Sequence, residues 1–213
     1  MSELSEATKD RILQSAKSEF LENGFTNASL RTIAANAGLT TGAMYRHFKD
    51  KDALFCALVD DAFEETLKII KTAGVENHEE LENPIGEEHS EQEKAFASYF
   101  IDYMLTNRDS FVLLLTKSAG STHENFLEKI ADIYTENVLS TVHWMEQKYN
   151  ITKPIDDMSI HVFATATINA FAEVILHNMD KEEANIFVSN IQEFFHFGFM
   201  HLLGFSCEED TMN

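Results

Sequence analysis

The stretch TNASLRTIAANAGLTTGAMYRHFKDKDALF, residues 26–55, constrains the fold more than any other part of this chain. Ser29 is placed to cap a short helix in which Ile33, Ala34 and Ala37 recur at helical spacing. Gly38 suits the turn behind it, where a residue with a Cβ would resist the backbone conformation. Leu39 then points back into the pair. Thr40 can cap a second short helix with Met44, Tyr45 and Phe48 on its apolar side, leaving Thr41, Gly42, Ala43 and His47 outward. Asp50 is a cap for the helix that follows, and Lys51 beside it can reach a phosphate. Two short helices around a tight turn, the second with a small and polar leading end, have the layout of a DNA reader. In helix-turn-helix proteins the first residues of the second helix touch base edges in the major groove, and small side chains let its backbone come close.

From Thr8 to Phe63 the chain resembles the N-terminal domain of TetR-family transcriptional regulators. The resemblance rests on F-x-x-x-G-F, the I-A-x-x-A-G-L turn, G-x-x-Y-x-x-F and K-x-x-L-F arriving in order, and it covers roughly a quarter of the sequence. It implies base or groove contacts from Arg31, Thr40, Thr41, Gly42, Ala43 and His47, with Tyr45 and Lys51 on the phosphate backbone. Thr41 stands where the family often has lysine. The plainer alternatives are that Tyr45 packs beneath the helix, Thr40 is only a cap, and Arg31 and Arg46 form local ion pairs worth little.

Charge is distributed in keeping with such a reader. The formal charge is −20, yet residues 1–51 hold seven Lys or Arg against six Asp or Glu, so residues 52–213 carry −21. An acidic body is pushed away from DNA, leaving the recognition face to approach, so non-specific binding should be weak and the salt slope modest.

At 213 residues with 44% hydrophobic content, the chain has material for two domains, expected at 1–52 and 53–213. Everything outside the turns reads as helix, giving an all-α fold of about nine helices. A first helix over 8–23 ends at Gly24, and a fourth runs from Asp50 to about residue 72. Residues 74–93 form a glutamate-rich segment with His78 and His89, read as a solvated loop rather than a metal cluster. Capping boxes at Ser90 with Glu93, Ser121 with Glu124 and Asp180 with Glu183 frame helices over 91–106, 109–118, 122–149, 156–178 and 181–204.

The last two of these are apolar on more than one side, with Ile160, Phe163, Ala164, Thr167, Phe171, Val174 and Ile175 in one and Ile186, Phe187, Ile191, Phe194, Phe195, Phe197, Phe199, Leu202 and Leu203 nearly encircling the other. A helix apolar all round must be covered all round. The resemblance implies that 156–178 and 181–204 pair with their counterparts in a homodimer, so that two reading heads meet an inverted-repeat operator in double-stranded DNA. Internal core is the alternative. The helices within 91–149 are aromatic-rich and suit a pocket for a small, largely apolar effector, with Tyr99, Tyr103, Phe111, Trp144, Asn169 and Glu173 as its candidate contacts. For each the blander reading is core packing, and Glu173 has His143 and His177 as alternative partners.

Other classes find little support. No H-x-x-x-H, C-x-x-C, phosphate-cradling glycine loop or G-x-S-x-G appears, so neither an enzyme nor a metal or cofactor site is expected. Two cysteines, Cys56 and Cys207, do not make a disulfide framework. No N-terminal segment resembles a signal peptide, and the greasiest stretch, Phe194 to Phe205, is too short to span a bilayer, so a cytoplasmic protein with no membrane partner is expected. The reading is a ligand-responsive regulator, most often a repressor in the family. The rivals are an architectural or adaptor protein whose C-terminal domain binds a protein, and a small-molecule-binding or catalytic protein that keeps the helix-turn-helix as scaffold.

Overall fold

A computed structural model describes residues 3–75, 87–151 and 154–205. Among them are nine α-helices, one π-helical turn and no strand. The helices are α1 (Glu3–Asn27), α2 (Leu30–Asn36), α3 (Thr41–Met44), α4 (Lys51–Val75), α5 (Glu87–Thr106), α6 (Arg108–Val112), α7 (Phe126–Lys148), α8 (Asp157–Leu176) and α9 (Lys181–Leu202), with the π turn Leu113–Lys117 continuing α6. The chain packs as two compact units, Met1–Glu65 with Asn107–Phe126, and Thr66–Thr106 with Leu127–Asn213.

This division does not follow the 1–52 and 53–213 boundary. The physical reason is a set of long-range bonds inside the first unit that no local pattern announces. Thr26 Oγ1 donates to the Ala119 carbonyl at 2.7 Å, Lys17 meets Asp109 at 2.7 Å, and Ser110 Oγ donates to the Leu58 carbonyl at 2.8 Å. Asp52 accepts from both the backbone and the hydroxyl of Thr122, at 2.9 and 2.6 Å.

The core of the first unit is built from Ile12, Ala16 and Phe20 of α1, Ile33 and Ala34 of α2, Met44 of α3, and Leu54, Phe55 and Val59 of α4, all buried. Phe20 meets Phe55 edge-on at 5.1 Å and Phe25 meets Phe55 at 5.4 Å, the geometry that ring quadrupoles favour. Gly24, with φ 72° and ψ 166°, breaks α1 where the sequence places its stop, and the broken end turns Phe25 onto those rings.

The second unit holds two apolar clusters. One joins Ala97 and Ile101 of α5 to Val174 of α8 and Ala184 and Val188 of α9, and the other joins Val142 and Met145 of α7 to Ile160 of α8 and Met200 and Leu203. Asp156 caps α8 through the Ser159 N–H, and the capping box of Asp180 and Glu183 opens α9 as its spacing predicts.

Three expectations are corrected. Ser121 and Glu124 do not open a helix: α7 starts at Phe126, Glu124 Oε2 accepts from the Gly120 N–H, and Ser121 Oγ accepts from the His123 N–H, so the same residues build a tight turn. Ser90 lies inside α5, which begins at Glu87. By length and composition the described helix apolar enough to cross a membrane is α8, not 194–205, and one face of it, with Ile160, Ala164, Ile168, Ala172, Val174 and Ile175, is buried. His78, Glu79 and Glu80 of the acidic segment, and Cys207, lie outside the described residues.

Candidate nucleic-acid interface

The reading element is α2, the turn after it, and α3. Thr32 N–H donates to Ser29 Oγ at 3.2 Å and Ala43 N–H to Thr40 Oγ1 at 3.2 Å, so both predicted caps form. Between them Gly38 takes φ 71°, its N–H reaching the Ala35 carbonyl at 3.0 Å while Leu39 N–H reaches the Ala34 carbonyl at 2.9 Å. That pair of bonds is a Schellman close, and it satisfies carbonyls the helix end would otherwise leave open. Ile33, Ala34, Ala37, Met44 and Phe48 are buried, and α2 packs on α1 with α3 against α2.

What is left outside is a small leading end. Arg31, Thr40, Gly42, Tyr45 and Arg46 are exposed, and Thr41, Ala43 and His47 are half-buried. A Cβ added at Gly42 would meet no atom within 4 Å, so nothing inside the protein requires glycine there. Tyr45 keeps 47% of its surface in solvent, which leaves the ring accessible on the outer side of the recognition helix.

Lys51 is placed differently from a free phosphate-seeking arm. Its Nζ donates to the Thr26 carbonyl at 3.0 Å and sits 5.0 Å from the centre of the Phe25 ring. Burial lowers its pKa from the usual lysine value, and the nearby charge of Glu19 opposes that shift.

Glu19 is a residue the sequence reading missed. It is buried, and its Oε1 accepts the Ser29 N–H at 2.9 Å, so an acid on the apolar face of α1 holds the N-terminus of α2. The available signal was a glutamate one position from Phe20 in the Ile12, Ala16, Phe20 stripe. Ser15 Oγ adds a second tie by donating to the Ile33 carbonyl at 2.9 Å.

The six candidate effector contacts are dispersed. Phe111 is buried in the first unit, edge-on to Phe126 at 6.4 Å. Tyr99 on α5 is 55% exposed, and Tyr103 on the same helix is half-buried. Trp144 packs against the Val142, Met145 and Ile160 cluster with Lys148 Nζ 4.5 Å from its ring. Asn169 is exposed, and Glu173 pairs with His177 at 2.9 Å, one of the plainer alternatives named for it. Elsewhere in the second unit a partly open cavity of about 730 Å³ is lined by Tyr149, Ile151, Ile155, Phe163, His201 and Phe205, among others.

Residues 12–58 match the family model described as "Bacterial regulatory proteins, tetR family". Over 69 residues the chain is 35% identical to the HTH-type transcriptional repressor Rv1474c of Mycobacterium tuberculosis, covering 32% of this chain and 37% of that protein. Over 52 residues it is 40% identical to the HTH-type transcriptional regulator UidR of Escherichia coli strain K12, covering 24% and 26%. These alignments therefore span about a third or less of the relatives' own length. Along most of its length the fold is similar to that of the transcriptional regulator FadR from Bacillus subtilis, crystallised in complex with stearoyl-CoA, with a TM-score of 0.57, 16% identity, and 86% of this chain and 95% of that one covered.

Proposed function

Because the chain belongs to the TetR family of bacterial regulatory proteins, we propose that it is a sequence-specific DNA-binding transcriptional regulator acting in the cytoplasm as a homodimer. The observation that carries this reading is the leading end of α3, where Gly42 stands exposed between the small, half-buried Thr41 and Ala43 and nothing in the fold requires a glycine. Arg31 and His47 flank it as groove contacts, with Tyr45 toward the phosphates. Lys51 reaches a phosphate only by giving up the Thr26 carbonyl, so its first task is to hold the reader together.

Dimerisation is supported by apolar surface that one chain leaves uncovered. Met158, Val162 and Leu176 recur on one face of α8, and Ile186, Phe194 and Phe197 on one face of α9, all exposed. Asn169 falls on that α8 face by its helical position, which makes it a subunit contact before an effector contact. Contiguous apolar surface of this kind marks an interaction site, and a second copy covers it with twofold symmetry. The operator is then an inverted repeat. An adaptor role, with a different protein on the same surface, is the other reading this observation admits.

The regulator is a repressor released when a small, largely apolar molecule binds the unit built from α5, α7, α8 and α9. Release needs differential affinity: moving the population from 1:99 to 99:1 takes a preference of about 5.5 kcal/mol for the non-binding state. The test is selection of bound genomic fragments with the purified dimer at low salt. Enrichment of one inverted repeat supports the regulator, whereas no enrichment with the dimer intact sinks it, and capture of a heterologous protein by α8 and α9 in place of self-association favours the adaptor.

A further inference from the structure

The first unit holds a second constellation that the DNA-reading role does not use. Asp52, Cys56 and Asp60 follow one another at four-residue spacing and so line one face of α4. The turn before α7 folds onto that face. Thr122 donates its backbone and hydroxyl hydrogens to Asp52, and His123 meets Asp60, Nε2 to Oδ1, at 2.8 Å. The Phe63 ring stands edge-on to the imidazole at 4.7 Å. Ligand atoms of Cys56, Asp60 and His123 all lie within 4.8 Å of one another.

We propose that Cys56, Asp60 and His123 form a site for a borderline transition-metal cation of the Zn²⁺ class, joining α4 to the turn before α7. The donor set selects the metal: thiolate, imidazole and carboxylate together suit Zn²⁺ and Co²⁺, while Mg²⁺ and Ca²⁺ take oxygen alone. Three protein ligands leave a fourth position for water.

Burial and charge bear on the site. His123 is only 5% exposed, and with Nε2 bonded to Asp60 its Nδ1 is buried with no hydrogen-bond partner among the described residues. Nε2, the ring nitrogen that faces Asp60, is the one placed to bind the cation, and Nδ1 is the position of a supporting hydrogen bond. The site is also electronegative. The carboxylates of Asp52 and Asp60 flank the thiol, and their negative charge favours a dication. On binding, the S–H bond breaks, a sulfur–metal bond forms, and the proton leaves to solvent. Asp60 keeps about half its side chain in solvent, which provides an entry path. Asp52, its oxygens held by Thr122, is a positioning residue: its Oδ2 is 3.7 Å from Cys56 Sγ and orients the thiol. Local spacing hid this site because His123 is far along the chain from the two ligands on α4.

The proposal is independent of the DNA-binding reading and is tested on the full chain after chelator treatment, titrated with Co²⁺. The expected result is saturation at one equivalent per chain with thiolate-to-cobalt charge-transfer absorption, kept in Cys207→Ser and lost in Cys56→Ser and His123→Asn. No charge-transfer absorption in the wild type, or its survival in Cys56→Ser, overturns the proposal. Should His123→Asn fail to fold by circular dichroism, Asp60→Asn serves in its place. Zn²⁺ should raise the unfolding midpoint of the wild type and leave that of Asp60→Asn unmoved, and an equal rise in both overturns the site.

Discussion

The reading end of the first unit and the α8 and α9 faces of the second treat apolar side chains in opposite ways. Around α2 and α3, Ile33, Ala34, Met44 and Phe48 go inside and what faces water is small or polar, apart from Tyr45. On α8 and α9, Met158, Val162, Ile186, Phe194 and Phe197 stay in water although each could be buried to advantage. A surface emptied of bulk is shaped for a polar partner approached by backbone, and a surface loaded with bulk is shaped for an apolar one. On the function proposed, one chain carries two kinds of unfinished interface, and a substitution should fail differently in each.

The largest effect is expected inside the reader. Phe55 is fully buried between Phe20 and Phe25, so Phe55→Ala should cost about 3–5 kcal/mol, read as a fall in the urea midpoint. Phe194 is 73% exposed in the single chain, so Phe194→Glu should leave helical content and monomer stability alone and act on association. With about 1.5–3 kcal/mol per buried phenylalanine counted twice by symmetry, the dimer should weaken by about 10²- to 10⁴-fold in sedimentation equilibrium. Unchanged association would show that this face is not the subunit contact, and the contrast between the two regions would then collapse.

A smaller effect sharpens the local side of the contrast. Thr40→Ala removes the α3 cap and should cost about 1 kcal/mol, whereas Thr40→Gly should cost only a few tenths. Equal losses from the two substitutions would show that the threonine has a further role beyond capping. The smallest effect concerns Asp156 at the start of α8. Hydrogen bonds from the Ser159 hydroxyl and backbone hold its carboxyl below the usual aspartate value. A carboxylate depressed in the folded state contributes stability above its unfolded pKa and loses it as pH falls through the folded one. An NMR titration of Asp156 should therefore show a low midpoint that rises in Ser159→Ala, and no rise would remove the hydroxyl as the cause.

Much of the fold was legible because its signals are local. Ser29, Thr40, Asp50 and Asp180 each cap the helix they precede, since a cap needs only a side-chain oxygen and an amide three residues on. The same rule misread Ser121 and Glu124, whose spacing serves a turn as well as a helix. The pairs Asp52 with Thr122, Asp60 with His123 and Glu19 with Ser29 were hidden, because polar residues brought together by the fold have no period in the sequence. Aromatic spacing suggested one pocket, yet Phe111 and Tyr99 are respectively buried in the other unit and out in solvent. A stripe reports that a face is apolar, not what covers it.

The central claim is that the bare leading end of α3 exists for DNA and not for the fold, and Gly42→Leu tests it most directly. Leucine is a better helix former than glycine and meets nothing within the chain at the Cβ position, so folding and dimerisation should be unchanged. Fluorescence anisotropy on the selected inverted repeat at fixed salt should then show binding at least about tenfold weaker, a loss of roughly 1.4 kcal/mol or more. Wild-type affinity in a folded, dimeric Gly42→Leu protein would contradict the account.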